Sequence, residues 1–72
     1  MKILYVEDEF AHVILTERVL EENLNDEFKL IHAETIEAAL QLLDTEPDID
    51  IILSDLRLPD GTGLELLQRV QE

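Results

Sequence analysis

Asp50-Ile51-Ile52-Leu53-Ser54-Asp55, followed by Leu56-Arg57-Leu58-Pro59-Asp60-Gly61, is the stretch that decides the fold class. An apolar run stops on an acid, and the loop after it carries turn chemistry in Pro59 and Asp60-Gly61. Ile51-Ile52-Leu53 lies at the centre of this run, so residues 50–54 are expected to form a strand. Lys2-Ile3-Leu4-Tyr5-Val6 is a run of the same kind, and it stops on Glu7-Asp8-Glu9. A weaker run, Phe28-Lys29-Leu30-Ile31-His32-Ala33, predicts a strand over residues 28–32 between the other two.

Between the strands the period changes to that of a helix. Phe10, Val13, Leu20 and Leu24, with Ile14 and Val19 beside them, predict an amphipathic helix ended by Asn23, Asn25 and Asp26. Thr35 is an expected N-cap, and Ile36, Ala39, Leu40 and Leu43 fall at i, i+3, i+4 and i+7 after it. Pro47 then breaks that helix. Leu64, Leu67 and Val70 begin a third helix that runs to the last residue. The element order is βαβαβα, which implies a parallel sheet with right-handed crossovers. Two strand orders satisfy it: 2-1-3, with the first two helices on opposite faces, and 1-2-3, with both on one face.

Composition narrows the function classes. Seventy-two residues make at most one small domain, with little core in reserve. The absence of cysteine removes disulfides and thiolate metal sites. Eighteen acids against five bases give a net charge of −13, which argues against direct nucleic-acid binding, since phosphate affinity comes largely from Lys and Arg. The apolar runs are far too short to span a bilayer. Only four apolar residues separate Lys2 from Glu7, too few for a signal peptide, so a cytoplasmic protein is expected.

Most of the acids fit solvated helix faces. Glu7, Asp8 and Asp55 call for a positional argument instead. All carboxyl ends of a parallel sheet share one edge. If the first and third strands are neighbours, these acids meet where the strand order reverses, which is where open α/β sheets bind ligands. Three carboxylates so close repel one another unless a cation is present or one acid is protonated. Oxygen-only ligands favour Mg²⁺, Mn²⁺ or Ca²⁺ over zinc. His12 and His32 have no partner at ligand spacing and are read as ordinary surface or core residues. Phe10 and Phe28 are read as core, Tyr5 as strand packing, and Ser54 as structural, pointing away from Asp55.

These segments resemble the response regulator receiver domains of two-component phosphorelays. Ile3-Leu4-Tyr5-Val6-Glu7-Asp8-Glu9 is similar to their opening strand and acidic pair. Asp50 through Leu67 is similar to their phosphoacceptor strand, loop and following helix, and Ala39-Leu40 sits where their second helix usually carries Ala-Leu. The resemblance implies a three-layer, flavodoxin-like α/β receiver fold with parallel strand order 2-1-3, the order that brings both acidic strand ends together. It implies that Asp55 accepts a phosphoryl group from a sensor histidine kinase or a phosphotransfer protein. It also implies Mg²⁺, with Mn²⁺ as a substitute, held by Asp8, by Glu7 through water, by Asp55 and by the backbone carbonyl of Arg57. A receiver of this kind is a signalling module rather than an enzyme.

The family fold has five β/α units, whereas residues 1–72 hold three and read as a single partial receiver domain. The fourth strand of the family brings a Ser or Thr, and the fifth a Lys, that contact the phosphoryl group. Neither segment is in this sequence, so phosphotransfer is expected to be impaired. Two rival readings remain at this stage. An aspartate-nucleophile phosphohydrolase would resemble Asp-x-Asp, but Arg57 holds the second position. A non-phosphorylated half-fold would survive by self-association. A homo-oligomer is expected through the uncovered third strand, whose Ile51-Ile52-Leu53 carries no charge, or through a bare sheet face.

Overall fold

The computed structural model describes residues 1–25 and 27–71. Three parallel strands, β1 (Lys2–Val6), β2 (Lys29–Ala33) and β3 (Ile51–Ser54), form one sheet in the order β2-β1-β3. This is the order that the acidic strand ends required, and the sheet is a flavodoxin-like α/β arrangement. Register is in step across all three strands: Tyr5 lies opposite both His32 and Leu53, and Val6 opposite both Ala33 and Ser54. Strand boundaries fall within a residue of the sequence reading. Helices α1 (Phe10–Leu24), α2 (Ile36–Thr45) and α3 (Gly63–Val70) follow the three strands in turn. Asp26 and Glu72, expected to help end α1 and to close α3, lie outside the described residues.

The pleat of β1 divides the interior. Leu4 and Val6 are fully buried and join Ala33, Ile36, Ala39, Leu58 and Leu66 in one cluster beneath α2 and α3. Ile3 and Tyr5 point to the other side. There the Thr16 hydroxyl of α1 donates to the Tyr5 hydroxyl at 3.1 Å, and Val13 is the one residue of α1 that is buried.

The expected apolar face of α1 is therefore largely uncovered. Phe10, read as core, is 71% exposed, and Ile14 and Val19 are exposed too. Phe28 is only half-buried. The periodicity is that of an amphipathic helix, but among the described residues α1 stands alone on its face of the sheet, with no second helix beside it to close over those side chains. Helix α3 carries a related correction. Leu66 packs into the core at 1% exposure, whereas Leu64, Leu67 and Val70 face outward along an open apolar groove beside Ile52 and Leu56.

Helix ends follow the sequence. The Thr35 hydroxyl accepts from the Ala38 N–H, as its N-cap role requires, and the Thr62 hydroxyl does the same for Glu65 at the start of α3. Asn25 closes α1 with φ of 55° and ψ of −134°, a positive-φ conformation outside the left-handed helical region. The loop after β3 is more ordered than its turn signals suggest. Residues Arg57–Leu58 (β4) and Gly61–Thr62 (β5) pair antiparallel as a small ribbon. The ribbon holds Asp60 over the N-terminus of α2, where its carboxylate accepts from the Ile36 and Glu37 N–H groups at 2.9 and 3.0 Å. These bonds, the Ile36 N–H foremost, keep the Asp60 carboxyl below its ordinary value of 3.8.

Candidate metal and phosphoacceptor site

Glu7, Asp8 and Asp55 come together at the carboxyl edge of the sheet. Each offers a carboxylate oxygen, and these oxygens lie within 4.8 Å of one another. Two backbone bonds set the spacing: the Asp55 N–H donates to the Val6 carbonyl at 3.0 Å, and the Glu7 N–H to the Ala33 carbonyl at 2.9 Å. Both strand ends are thus fastened to their neighbours just where the acids begin.

The three acids differ in environment. Asp8 and Asp55 are exposed. The Leu56 N–H donates to Asp55 Oδ1 at 2.8 Å, which fixes the rotation of that carboxylate. Gly63 crosses directly behind it, and a Cβ there would fall 2.6 Å from the Asp55 carbonyl oxygen, so only glycine lets α3 start this close. Ser54 turns away, as alternation requires, and its hydroxyl donates to the Asp55 carbonyl.

Glu7 continues the alternation of Ile3 and Tyr5 and so faces α1. It is 2% exposed. The first turn of that helix places His12 against it, with Nδ1 2.5 Å from Glu7 Oε1. The second histidine reaches the same residue from β2, where His32 Nε2 donates to the Glu7 carbonyl at 2.7 Å. Sequence reading found no partner for either histidine; both converge on Glu7. The missed signal was the geometry of a strand-to-helix junction, which brings residue i+5 back over residue i, and the register that sets His32 beside Tyr5.

His12 Nε2 also lies 3.5 Å from Glu9. The hydrogen bond to Glu7, followed by the nearby charges of Glu9, Glu7 and Asp55, raises the imidazole above its ordinary value. Oε2, the other carboxylate oxygen of Glu7, is buried and has no hydrogen-bond partner among the described residues. A buried orphan acceptor is costly, and in a cluster of acids the partner that satisfies it best is a cation. The donor set is all oxygen, which suits Mg²⁺ or Mn²⁺.

Arg57, two residues past Asp55, begins β4 and is exposed; among the described residues its guanidinium makes no ion pair. Both lysines start strands at the opposite edge, roughly 15 Å from the acids at the strand rise per residue. Lys2 is engaged there with Glu46 at 2.8 Å, a contact that raises its own pKa and lowers that of Glu46. Neither lysine can serve Asp55.

The fold and site define a doubly wound α/β module with a cluster of three acids at its topological switch point. The chain belongs to the response regulator receiver domain family, whose model matches residues 3–72. It is similar to the two-component response regulator ORR5 of Oryza sativa subsp. japonica, 35% identical over 48 residues, which are 67% of this chain and 36% of that protein. It is also similar to the response regulator protein PilR of Pseudomonas aeruginosa, 48% identical over 40 residues, which are 56% of this chain and 9% of that protein. Among solved structures, the non-phosphorylated HemR receiver domain from Leptospira biflexa superimposes with a TM-score of 0.71 at 35% identity, covering 96% of this chain and 52% of that one. The 72 residues thus span about a third of the rice regulator and about half of the HemR chain. No helix among the described residues is long and apolar enough to cross a membrane.

Proposed function

We propose that Asp55 is the phosphoacceptor of this receiver and that Glu7, Asp8 and Asp55, with the backbone carbonyl of Arg57, hold the Mg²⁺ that phosphoryl transfer needs. The buried, partnerless Oε2 of Glu7 beside two further carboxylates is the observation that carries this reading. The phosphodonor would be a histidine kinase or a phosphotransfer protein. A carboxylate oxygen of Asp55 forms the new O–P bond as the donor's P–N bond breaks, leaving an acyl phosphate on Asp55 and a free imidazole on the donor. Asp55 is exposed and its carboxylate is oriented by the Leu56 N–H, so it can be approached from solvent without rearrangement. The bound cation would offset charge on the phosphoryl oxygens and on the acid cluster itself. Asp8 and Glu7 supply the negative potential that recruits it.

Phosphotransfer to these 72 residues should be slow, because no lysine reaches the carboxyl edge to share the phosphoryl charge. Labelling with a small phosphoramidate donor, followed by peptide mapping, tests the assignment. A Mg²⁺-dependent acyl phosphate on Asp55, absent in Asp55→Asn, is expected. Label on another acid, or label that is indifferent to Mg²⁺, would count against it.

The 72-residue chain should also self-associate. Strand β3 is a sheet edge, Ile51 is 40% exposed on it, and Leu56, Leu64 and Leu67 are more exposed still. Uncharged edges recruit further strands, and exposed apolar patches of this kind mark contact surfaces. Pairing of two β3 edges would make a twofold dimer. The net charge of −13 opposes this, so added salt should strengthen association. Sedimentation equilibrium at tens of micromolar, as an order-of-magnitude choice of concentration, should show a dimer; a folded monomer would refute it.

A further inference from the structure

Both histidines of the chain grip one residue, and only one of them touches its side chain. From this we infer that His12 is a positioning residue of the cation site: its imidazole holds Glu7 Oε1 and thereby reserves Oε2 for the metal. The inference rests on the proposed cation site and adds a residue outside the acid cluster to it.

The Glu7 carboxylate is pinned at several points. Its backbone N–H is fixed by Ala33, its carbonyl by His32 and its Oε1 by His12. With both backbone groups hydrogen-bonded and Oε1 engaged by His12, the freedom of the side chain is restricted, and Oε2 is left buried without a partner among the described residues. Glu9, on the far side of the ring at 3.5 Å, holds the imidazole in turn. A carboxylate ligand that is itself hydrogen-bonded from outside loses less freedom when the metal binds, and removing such a supporting partner typically weakens a metal site about 10- to 100-fold.

Charge alone predicts the reverse sign. Any positive charge on the ring would repel Mg²⁺, so if electrostatics governed its effect, deleting His12 would tighten binding. Orientation and repulsion are therefore separable by direction. His12→Asn is the diagnostic variant, because the Asn amide nitrogen takes the place of Nδ1 as donor and carries no charge.

Mn²⁺ affinity measured by electron paramagnetic resonance on the 72-residue chain decides the matter, with thermal unfolding confirming that each variant is folded. The expected pattern is binding by the wild type, about tenfold weaker binding by His12→Ala, and recovery to the wild-type level or better in His12→Asn. Wild-type binding with His12→Ala unchanged or tighter would overturn the positioning role while leaving the acid site intact. If His12→Ala does not fold, His12→Leu, which fills the space without a donor, takes its place: a loss of about tenfold supports the role, and unchanged or tighter binding overturns it. Absence of Mn²⁺ binding in the wild type, or binding that survives Asp8→Asn, would instead overturn the site itself and the role with it.

Discussion

Leu4→Ala should cost about 2–5 kcal/mol of folding stability, while Phe10→Ala should change it by no more than about 0.5 kcal/mol. Both side chains look like interior residues in the sequence, yet Leu4 is fully buried and Phe10 is 71% exposed. Leu4 sits at the middle of β1, flanked by Ile31 and Ile52 in register and covered by the α2 and α3 cluster. Truncation there leaves a cavity that strands on both sides cannot collapse to fill. The reserve against such a loss is small: at roughly 0.05–0.15 kcal/mol per residue, 72 residues hold about 4–11 kcal/mol. The uncovered groove beside β3 and the bare face of α1 place this chain toward the lower end. Urea unfolding should therefore show Leu4→Ala largely unfolded or with its midpoint sharply lowered, and Phe10→Ala close to wild type. Equal midpoints for the two variants would refute the assignment of the core.

That contrast also marks what was legible in the sequence. The three strands follow from three apolar runs, two of which end on acids; their order, and with it the meeting of Glu7, Asp8 and Asp55, needed the family resemblance as well, because the pattern alone allowed two orders. Strand alternation even gives the direction of Ser54. The burial of α1 and α3 was not legible, because periodicity reports which side chains share a face and not whether a neighbour covers it. Val13 and Leu66 are covered; Phe10, Leu64 and Leu67, on equally regular spacing, are not. The histidines were missed for a different reason. Their partner is not another side chain at helical or strand spacing but a single residue reached across a junction and across a strand pair. Asp60 was read as turn chemistry, and its cap on α2 depends on the β4–β5 ribbon that carries it back over Ile36 and Glu37.

Mg²⁺ should raise the stability of the wild-type chain and not that of Asp8→Asn. A ligand that binds only the folded state adds RT ln(1 + [L]/Kd), about 2.7 kcal/mol at a hundredfold excess over Kd. In this small domain that is a shift of several degrees or more in the thermal midpoint. The gain should be specific to divalent ions, because it comes from a cation held among Glu7, Asp8 and Asp55 and not from screening the overall charge. Monovalent salt at matched ionic strength supplies the control. A wild-type midpoint that Mg²⁺ and matched salt move equally would show that the acids act only as surface charge.

The most direct measurement is the number of Mn²⁺ ions bound per chain, counted by electron paramagnetic resonance of the free ion in wild type, Asp8→Asn and Asp55→Asn. One ion per wild-type chain is expected, displaced by Mg²⁺, with affinity reduced in both variants. Equal binding by all three proteins, or several weak ions spread over the surface acids, would contradict a cation site built from Glu7, Asp8 and Asp55.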